Sequence, residues 1–175
     1  MTGAGRIAIL VVAAVLGLAT SYWLHRWNTA RAPDSGSVAR LMAASLPDLD
    51  GKTQALAQWR GNVLVVNFWA TWCEPCLKEI PGFVRMQEKF RNQGLQFVGI
   101  AIDNVAKVRE FAAKYHMNYP VLVGEMAAVE LTRTAGNDLG GLPFTVILDR
   151  KGRLIQTELG GLDEQKLTTI IQPAL

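Results

Sequence analysis

The two cysteines of the chain, Cys73 and Cys76, lie within the five-residue segment 72–76 (Trp-Cys-Glu-Pro-Cys). An apolar run at Val63–Trp69 precedes this segment and predicts a buried strand, and residues 77–80 after it predict the start of a helix. Two thiols at a strand-to-helix turn can close a disulfide within one turn, and they can pass that disulfide to another protein. The segment therefore indicates thiol–disulfide chemistry.

The roles of the two thiols follow from their places in this turn. An exchange reaction needs one accessible thiol that ionises readily and a second that resolves the mixed disulfide. Cys73 is predicted at the helix N-terminus, where free N–H groups and the helix dipole favour an anion, and Cys76 should be the less accessible thiol. Pro75 is tolerated because amides of the first helical turn have no helical partner. Glu74 places a carboxylate beside the nucleophile, which we expect to oppose thiolate formation and to favour a more reducing couple.

Three other interpretations of the cysteine pair are weaker. A purely structural disulfide would stabilise little, because the loop that it closes is so short. A zinc site would need further ligands nearby in the sequence, and His25 and His116 each stand alone. Inert core thiols do not account for the Trp-Cys-x-Pro-Cys context.

The N-terminal region carries an uncharged, apolar stretch at residues 7–24, with Arg6 before it and Tyr22, Trp23 and Trp27 around its far end. This length and these aromatic residues favour a single membrane-spanning anchor, which we predict over residues 1–29. A cleaved signal peptide is the alternative. Either segment would send the rest of the chain through a membrane.

Composition divides the remaining chain into a tether and a folded part. Residues 30–40 are rich in small residues, Pro and Gly, which predicts a flexible tether, and residues 41–175 are long enough for one domain with a proper core. Three arginines and one aspartate precede residue 35, so the rest of the chain holds fifteen basic and fourteen acidic groups. The folded part therefore has no basic excess for binding nucleic acid.

Apolar spacing and turn residues predict strands that alternate with helices, followed by a β-hairpin and a final helix. Asp50-Gly51 predicts the turn of an additional short hairpin at residues 46–53. Asp163 is placed to cap the final helix, and Leu162 and Leu167 to staple its start. This order predicts an α/β layer sandwich with a mixed sheet. Strands are predicted at 63–69, 95–102, 119–123, 144–148 and 154–159, and helices at 76–91, 105–115 and 127–134.

Residues 67–76 (Asn-Phe-Trp-Ala-Thr-Trp-Cys-Glu-Pro-Cys) resemble the active-site segment of the thioredoxin fold. More narrowly, they are similar to the membrane-anchored TlpA/ResA/CcmG group of extracytoplasmic thiol–disulfide oxidoreductases. The resemblance runs from about residue 46 to the C-terminus and includes a second match at 141–145 (Gly-Leu-Pro-Phe-Thr). It implies a thioredoxin-like three-layer sandwich with a mixed central β-sheet. It also implies an N-terminal β-hairpin extension, an inserted helix and strand within residues 103–125, and one preceding transmembrane helix.

The same resemblance assigns roles to residues outside the cysteine pair. Pro143 matches a cis-proline that faces the two cysteines, so the Leu142–Pro143 bond is expected to be cis and to keep a strand edge open for the partner's extended chain. Asn67 stands where cytoplasmic thioredoxins place a buried aspartate, and it cannot titrate. Glu79 matches an acidic residue of the ResA-like members and lies three residues after Cys76, close enough to move its proton. A solvated helix face is the alternative for Glu79.

The function that this resemblance implies is an anchored reductase that passes electrons to protein disulfides outside the cytoplasm. The catalytic domain would lie on the periplasmic side of the inner, cytoplasmic membrane. The electron donor would be a membrane protein of the DsbD or CcdA kind, and apocytochrome c, before haem attachment, is one substrate that it suggests. Trp72 is expected to cover the site and contact partners. No organic or metal cofactor is required beyond the redox-active cysteine pair.

Two further functions stay open on the sequence. An oxidant or isomerase would share the fold and differ in reduction potential, which ranges from about −270 mV for thioredoxin to about −120 mV for a strong periplasmic oxidant. A copper-binding or metal-delivery protein would use the soft thiolates for Cu(I). His116 is a poor candidate for the additional ligand that such a site needs.

Overall fold

The computed structural model describes residues 35–175, together with Gly17 and Thr20. The predicted anchor over residues 1–29, apart from those two residues, and the first residues of the predicted tether lie outside the described part. None of the helices that are described has both the length and the apolar character needed to cross a bilayer.

The secondary structure follows the predicted alternation closely. The helices are α1 (Ser35–Ala43), α2 (Glu74–Phe90), α3 (Val105–Lys114), α4 (Glu125–Thr134) and α5 (Glu164–Ile171). The strands are β1 (Ser45–Pro47), β2 (Thr53–Ala55), β3 (Val63–Trp69), β4 (Leu95–Ala101), β5 (Val121–Val123), β6 (Phe144–Leu148) and β7 (Leu154–Leu159).

The main sheet has the strand order β5-β4-β3-β6-β7 and is mixed. Strands β3, β4 and β5 run parallel, whereas β6 is antiparallel to β3 and β7 is antiparallel to β6. Strand β3 lies at the centre and is buried along its whole length, which explains its continuous apolar sequence. Strands β1 and β2 form a separate antiparallel hairpin, as the Asp50-Gly51 turn predicts.

Helices cover both faces of this sheet. On one face, Leu64 and Val66 of β3 share a core cluster with side chains from α1 and α4. On the other face, Val63 and Val65 pack with side chains from α2 and α5. The mixed sheet between two helical layers confirms the predicted thioredoxin-like α/β architecture.

The tether predicted over residues 30–40 is wrong from Ser35 onward, because helix α1 begins there. The Ser-Gly-Ser sequence at its start has weak helix propensity, which is why composition predicts a tether. The side chains of Val38, Leu41 and Met42 are buried against the sheet. Tertiary burial of one apolar face stabilises a short helix that propensity alone would not.

The ends of the elements near the disulfide also differ slightly from the prediction. Helix α2 begins at Glu74 rather than at Cys76, because the Cys73 Sγ acts as its cap and accepts a hydrogen bond from the Cys76 amide at 3.4 Å. At the last helix, the Asp163 Oδ1 accepts from the Lys166 amide at 2.7 Å, as predicted. Leu162 and Leu167 are both buried on either side of this cap, as a hydrophobic staple requires.

Candidate active site

The disulfide lies at the edge of the sheet where the parallel strands β3 and β4 end. Cys73 and Cys76 are bonded, with 2.04 Å between the sulfur atoms and 5.3 Å between the Cα atoms. Cys73 immediately precedes α2 and Cys76 is its third residue, so the helix N-terminus holds both thiols. They pack in one apolar cluster with Trp69, Ile80 and Val108.

The two sulfur-bearing residues differ in access to solvent. Cys73 retains 6% of its surface exposed, whereas Cys76 retains none. A partner that approaches from solvent therefore meets Cys73 first. This order agrees with the predicted division between an attacking and a resolving thiol.

The loop before Cys73 is held to the end of β4 by polar contacts. The Thr71 hydroxyl donates a short hydrogen bond to the Asp103 carboxylate, which also accepts from the Asn104 amide at 2.8 Å. Burial would raise the pKa of Asp103, but these hydrogen bonds outweigh it and hold the pKa below its ordinary value. The ionised Asp103 therefore anchors the redox loop.

Glu79 is buried rather than on a solvated helix face. Its Oε1 accepts a hydrogen bond from the Asn67 Nδ2 at 2.8 Å, and its Oε2 accepts from the Leu162 amide at 2.9 Å. Burial raises the pKa of Glu79 from 4.5 to about 7, against the opposing effect of these two donors. A carboxyl group with this pKa can both take up and release a proton near neutral pH.

Glu74 has the opposite surroundings. Its side chain is exposed, and its carboxylate forms an ion pair with Lys78, one turn along the helix, at 2.8 Å. The hydrogen bond from Lys78 lowers the pKa of Glu74. Part of the negative charge that the sequence places beside Cys73 is therefore balanced by Lys78.

The second segment that matches the family, residues 141–145, lies next to the disulfide at the start of β6. The Leu142–Pro143 peptide bond is cis, as the resemblance implies. Leu142 is half-buried against the cluster that contains both cysteines, and the Pro143 carbonyl accepts a hydrogen bond from the Gly160 amide at 2.8 Å. Trp72 remains 68% exposed beside the disulfide.

Sequence reasoning missed two groups that hold Glu79 and its partner. Thr145 accepts a hydrogen bond from the Asn67 Nδ2 at 3.1 Å, and the Leu162 amide binds Glu79 directly. The antiparallel register pairs Asn67 with Thr145, so correct pairing of β3 and β6 would have indicated the first contact. No sequence signal indicates the second, because it is made by the backbone.

The structure offers little support for a metal site around the thiols. His116 is exposed and lies just after α3, in a left-handed backbone conformation with φ of 51°. Within residues 35–175, His, Cys, Asp and Glu side chains form no group of three or more that could hold a metal ion.

Comparison with known proteins identifies the family of this chain. The profile of the Redoxin family matches residues 30–171. The chain belongs to the Redoxin family. Among its relatives, this Redoxin protein is 29% identical to the thiol-disulfide oxidoreductase ResA of Bacillus subtilis (strain 168) over 123 residues, which cover 70% of this chain and 66% of that one. It is 30% identical to ResA of Bacillus thuringiensis subsp. konkukian (strain 97-27), over 69% of this chain and 68% of the relative.

Solved structures give the same result for the Redoxin domain. A putative thiol:disulfide interchange protein DsbE from Chlorobium tepidum superposes with a TM-score of 0.67 at 27% identity, covering 75% of this chain and 92% of that one. A thioredoxin family protein from Chlorobium tepidum TLS, described as a thiol:disulfide interchange protein, gives a TM-score of 0.66 at 31% identity, with the same coverage. The protein is thus a thiol–disulfide oxidoreductase of the ResA and DsbE kind, in which the cysteine pair itself is the redox group.

Proposed function

We propose that this protein is a membrane-anchored, extracytoplasmic reductase of protein disulfides. The observation that carries the exchange chemistry in this proposal is the arrangement of the pair: Cys73 retains some exposure to solvent, Cys76 is fully buried, and Glu79 lies buried one helical turn beyond Cys76. Such an arrangement separates attack, resolution and proton transfer among three groups.

The first step is attack on the client by the reduced pair. The Cys73 thiolate, stabilised at the N-terminus of α2, attacks one sulfur of a client disulfide. A bond forms between the Cys73 Sγ and that sulfur, the client disulfide breaks, and the second client sulfur leaves as a thiolate. The product is a mixed disulfide between Cys73 and the client.

The second step releases the client. Cys76 loses its proton to the Glu79 carboxylate, and the Cys76 thiolate then attacks the Cys73 Sγ. The Cys73–Cys76 disulfide forms, the bond to the client breaks, and the client leaves with two more electrons. Its two thiolates become thiols by taking one proton from Glu79 and one from solvent. An external dithiol must then return two electrons to the pair before another cycle.

The surroundings of the disulfide fit a protein client. Large exposed apolar side chains lie where the parallel strands end, where β6 begins and where β7 ends, at the same edge of the sheet as the disulfide. Such a concentration of exposed apolar surface is typical of protein-interaction sites. The Leu142–Pro143 segment is the proposed place for an extended client chain. The exposed side chains at this edge are Trp72, Val105, Met126, Leu139 and Leu159.

The direction of electron flow is proposed from the charges near the pair. A strongly oxidising couple is one whose reduced form is stabilised. A carboxylate near the pair opposes thiolate formation and so does not provide that stabilisation. Here this is chiefly Glu79, one turn beyond Cys76, because Glu74 is exposed and paired with Lys78. We therefore expect a reduction potential near that of thioredoxin, about −270 mV, and a value near −120 mV would favour the oxidant or isomerase instead.

The location and the partners are also part of the proposal. We propose that residues 1–29 anchor the protein in the cytoplasmic membrane, that its domain lies outside, and that a DsbD- or CcdA-type membrane protein supplies its electrons. The apocytochrome c site Cys-x-x-Cys-His is the proposed client, which would place the protein in cytochrome c maturation. Labelling of Cys73 in intact cells by a membrane-impermeant maleimide, after mild reduction, tests the location. Labelling only after lysis would contradict it.

A further inference from the structure

Asn67 is a buried amide of β3, two residues before the strand ends and the redox loop begins. We propose that Asn67 is a positioning residue of the exchange reaction, whose side-chain amide fixes the Glu79 carboxyl group and favours the ionised form that takes a proton from Cys76. The inference deepens the proposed function and rests on it only for the final proton transfer. The contact between Asn67 and Glu79 can be tested without any client.

The Asn67 side chain uses its two N–H groups in hydrogen bonds, whereas its Oδ1 is buried without a hydrogen-bond partner in the described part of the chain. Its Nδ2 donates to the Glu79 Oε1 at 2.8 Å and to the Thr145 Oγ1 at 3.1 Å, so both N–H groups are used. The reverse orientation would place the amide oxygen against the Glu79 carboxyl group, and whenever that group is ionised neither oxygen would have a hydrogen to donate. Asn67 therefore acts on Glu79 as a donor.

The backbone holds this donor rigidly. Asn67 is 1% exposed and lies on the central strand, opposite Gly99 of β4 and Thr145 of β6. The second donor to Glu79 is the Leu162 amide, directly before the capping residue of α5. A strand and the start of a helix thus hold the carboxyl group from two sides.

Within residues 35–175, few ionisable groups act on the Glu79 carboxyl group. From the segment before β5, Tyr119 interacts with it electrostatically, and both burial and that interaction raise the pKa of the Tyr119 phenol, which stays neutral. On α2 itself, Cys76 lies one turn before Glu79. From α5, the nearby acid Glu164 pairs with Arg85 at the surface instead. The two N–H donors are therefore the groups that oppose the effect of burial on Glu79.

Removal of the Asn67 donor should leave Glu79 protonated over most of the neutral range. A hydrogen bond from a buried N–H group favours the charged form of a carboxyl group, and its loss leaves burial less opposed. A protonated Glu79 cannot accept the Cys76 proton. The proposal thus predicts that the pKa of Glu79 depends on a residue that never titrates.

The test is a ¹³C NMR titration of the glutamate side-chain carboxyl carbons in the full chain, in its disulfide form. The Glu79 signal is assigned by its disappearance in Glu79→Gln. In Asn67→Leu we expect its titration midpoint to rise by about one to two pH units above that of the unmodified protein. A midpoint that moves by less than about 0.3 pH unit overturns the proposal.

Two further variants control for packing and folding. Thr145→Val removes the other acceptor of the same amide but leaves the contact with Glu79, so the midpoint should stay much closer to that of the unmodified protein. Equal shifts in Thr145→Val and Asn67→Leu would overturn the specific role of Asn67. If Asn67→Leu does not fold, the near-isosteric variant Asn67→Asp tests the contact with Glu79 instead. It places two carboxyl groups in contact, so the Glu79 signal should titrate in two steps, and one unshifted step overturns the proposal.

A kinetic measurement separates this inference from the proposed function. The rate at which Cys76 resolves a mixed disulfide should fall in Asn67→Leu, and Asn67→Leu should add nothing further in a Glu79→Gln background. A shifted NMR midpoint together with normal resolution in Glu79→Gln would support the contact and reject proton transfer through Glu79. An additional slowing in the Glu79→Gln background would overturn the claim that Asn67 acts through Glu79.

Discussion

Two glutamates of helix α2, Glu74 and Glu79, lie five residues apart in two contrasting regions of the site. Glu74 lies in the outer region, exposed and paired with Lys78, which lowers its pKa. Glu79 lies in the inner region, where burial raises its pKa to about 7. The same side chain is thus a fixed charge at one position and a titrating group at the other. Desolvation, rather than residue type or sequence distance from the cysteines, decides which carboxylate can exchange protons.

The two cysteines also differ in this way, with one in the outer region and one in the inner region. Cys73 lies in the outer region and retains some access to solvent, whereas Cys76 lies in the inner region and has none. The mixed disulfide with a client must therefore form at Cys73 in the outer region. Release of the client must begin at Cys76 in the inner region.

Replacement of either cysteine by serine should abolish turnover, but only one of the two variants should trap the client. Both variants should lose turnover by more than about a thousandfold, because each step needs its own thiol. Only Cys76→Ser should accumulate a covalent complex with a client, joined through Cys73, as seen by non-reducing gel electrophoresis and mass spectrometry. Accumulation in Cys73→Ser instead would reverse the assigned roles.

Glu79→Gln should slow resolution of the mixed disulfide by about a hundredfold while attack by Cys73 stays close to normal, because only the inner step uses this base. In the unmodified protein the resolution rate should rise with pH through about 7, as Glu79 ionises. Stopped-flow measurement of client release across pH checks both points. Glu74→Gln is the matched control on the same helix, and equal slowing in the two variants would remove the distinction.

Glu79 should also make the free energy of unfolding depend on pH. Its pKa is about 7 in the folded protein against an ordinary value of 4.5, so the folded state binds more protons between these values. Stability should therefore fall as pH rises from about 4.5 to 7, by roughly 3 kcal/mol from this group. Urea titrations across this pH range should show the decline in the free energy of unfolding. In the Glu79→Gln variant, the part of the decline that comes from Glu79 should be absent. Parallel curves for the two proteins would count against the buried, titrating Glu79.

Glu74→Gln should have the smallest effect. An exposed carboxylate that already pairs with Lys78 acts weakly on Cys73, so the reduction potential should change by no more than about 10 mV. Equilibration with glutathione buffers measures this change. A larger shift towards a more oxidising potential would show that Glu74, rather than the inner region, tunes the pair.

Much of this arrangement could be predicted from local sequence. The continuous apolar run of β3 and the turn residues around β6 and β7 gave strands whose ends match the structure. The positions of both cysteines and the cis bond before Pro143 were also predicted correctly. Each of these features depends on residues close together in the chain, or on a motif that the family shares.

The rest depends on contacts between distant parts of the chain. Helix α1 is stabilised by burial against the sheet, which its Ser-Gly-Ser start does not reveal. The buried Glu79 carboxyl group accepts hydrogen bonds from Asn67, twelve residues before it, and from the backbone of Leu162, 83 residues after it. Helical spacing brings Glu79 near Cys76 but does not indicate whether water reaches it. The sequence therefore predicts the outer region well and the inner region only in part.

The most direct test of thiol exchange is a rapid-quench experiment on the whole 175-residue chain in its reduced form. It is mixed with an oxidised Cys-x-x-Cys-His peptide, trapped by acid at successive times and analysed by mass spectrometry. We predict a transient bond between Cys73 and the peptide, which decays to the Cys73–Cys76 disulfide as the reduced peptide appears. A peptide bonded to Cys76, or a peptide that stays oxidised while the protein stays reduced, would contradict the account.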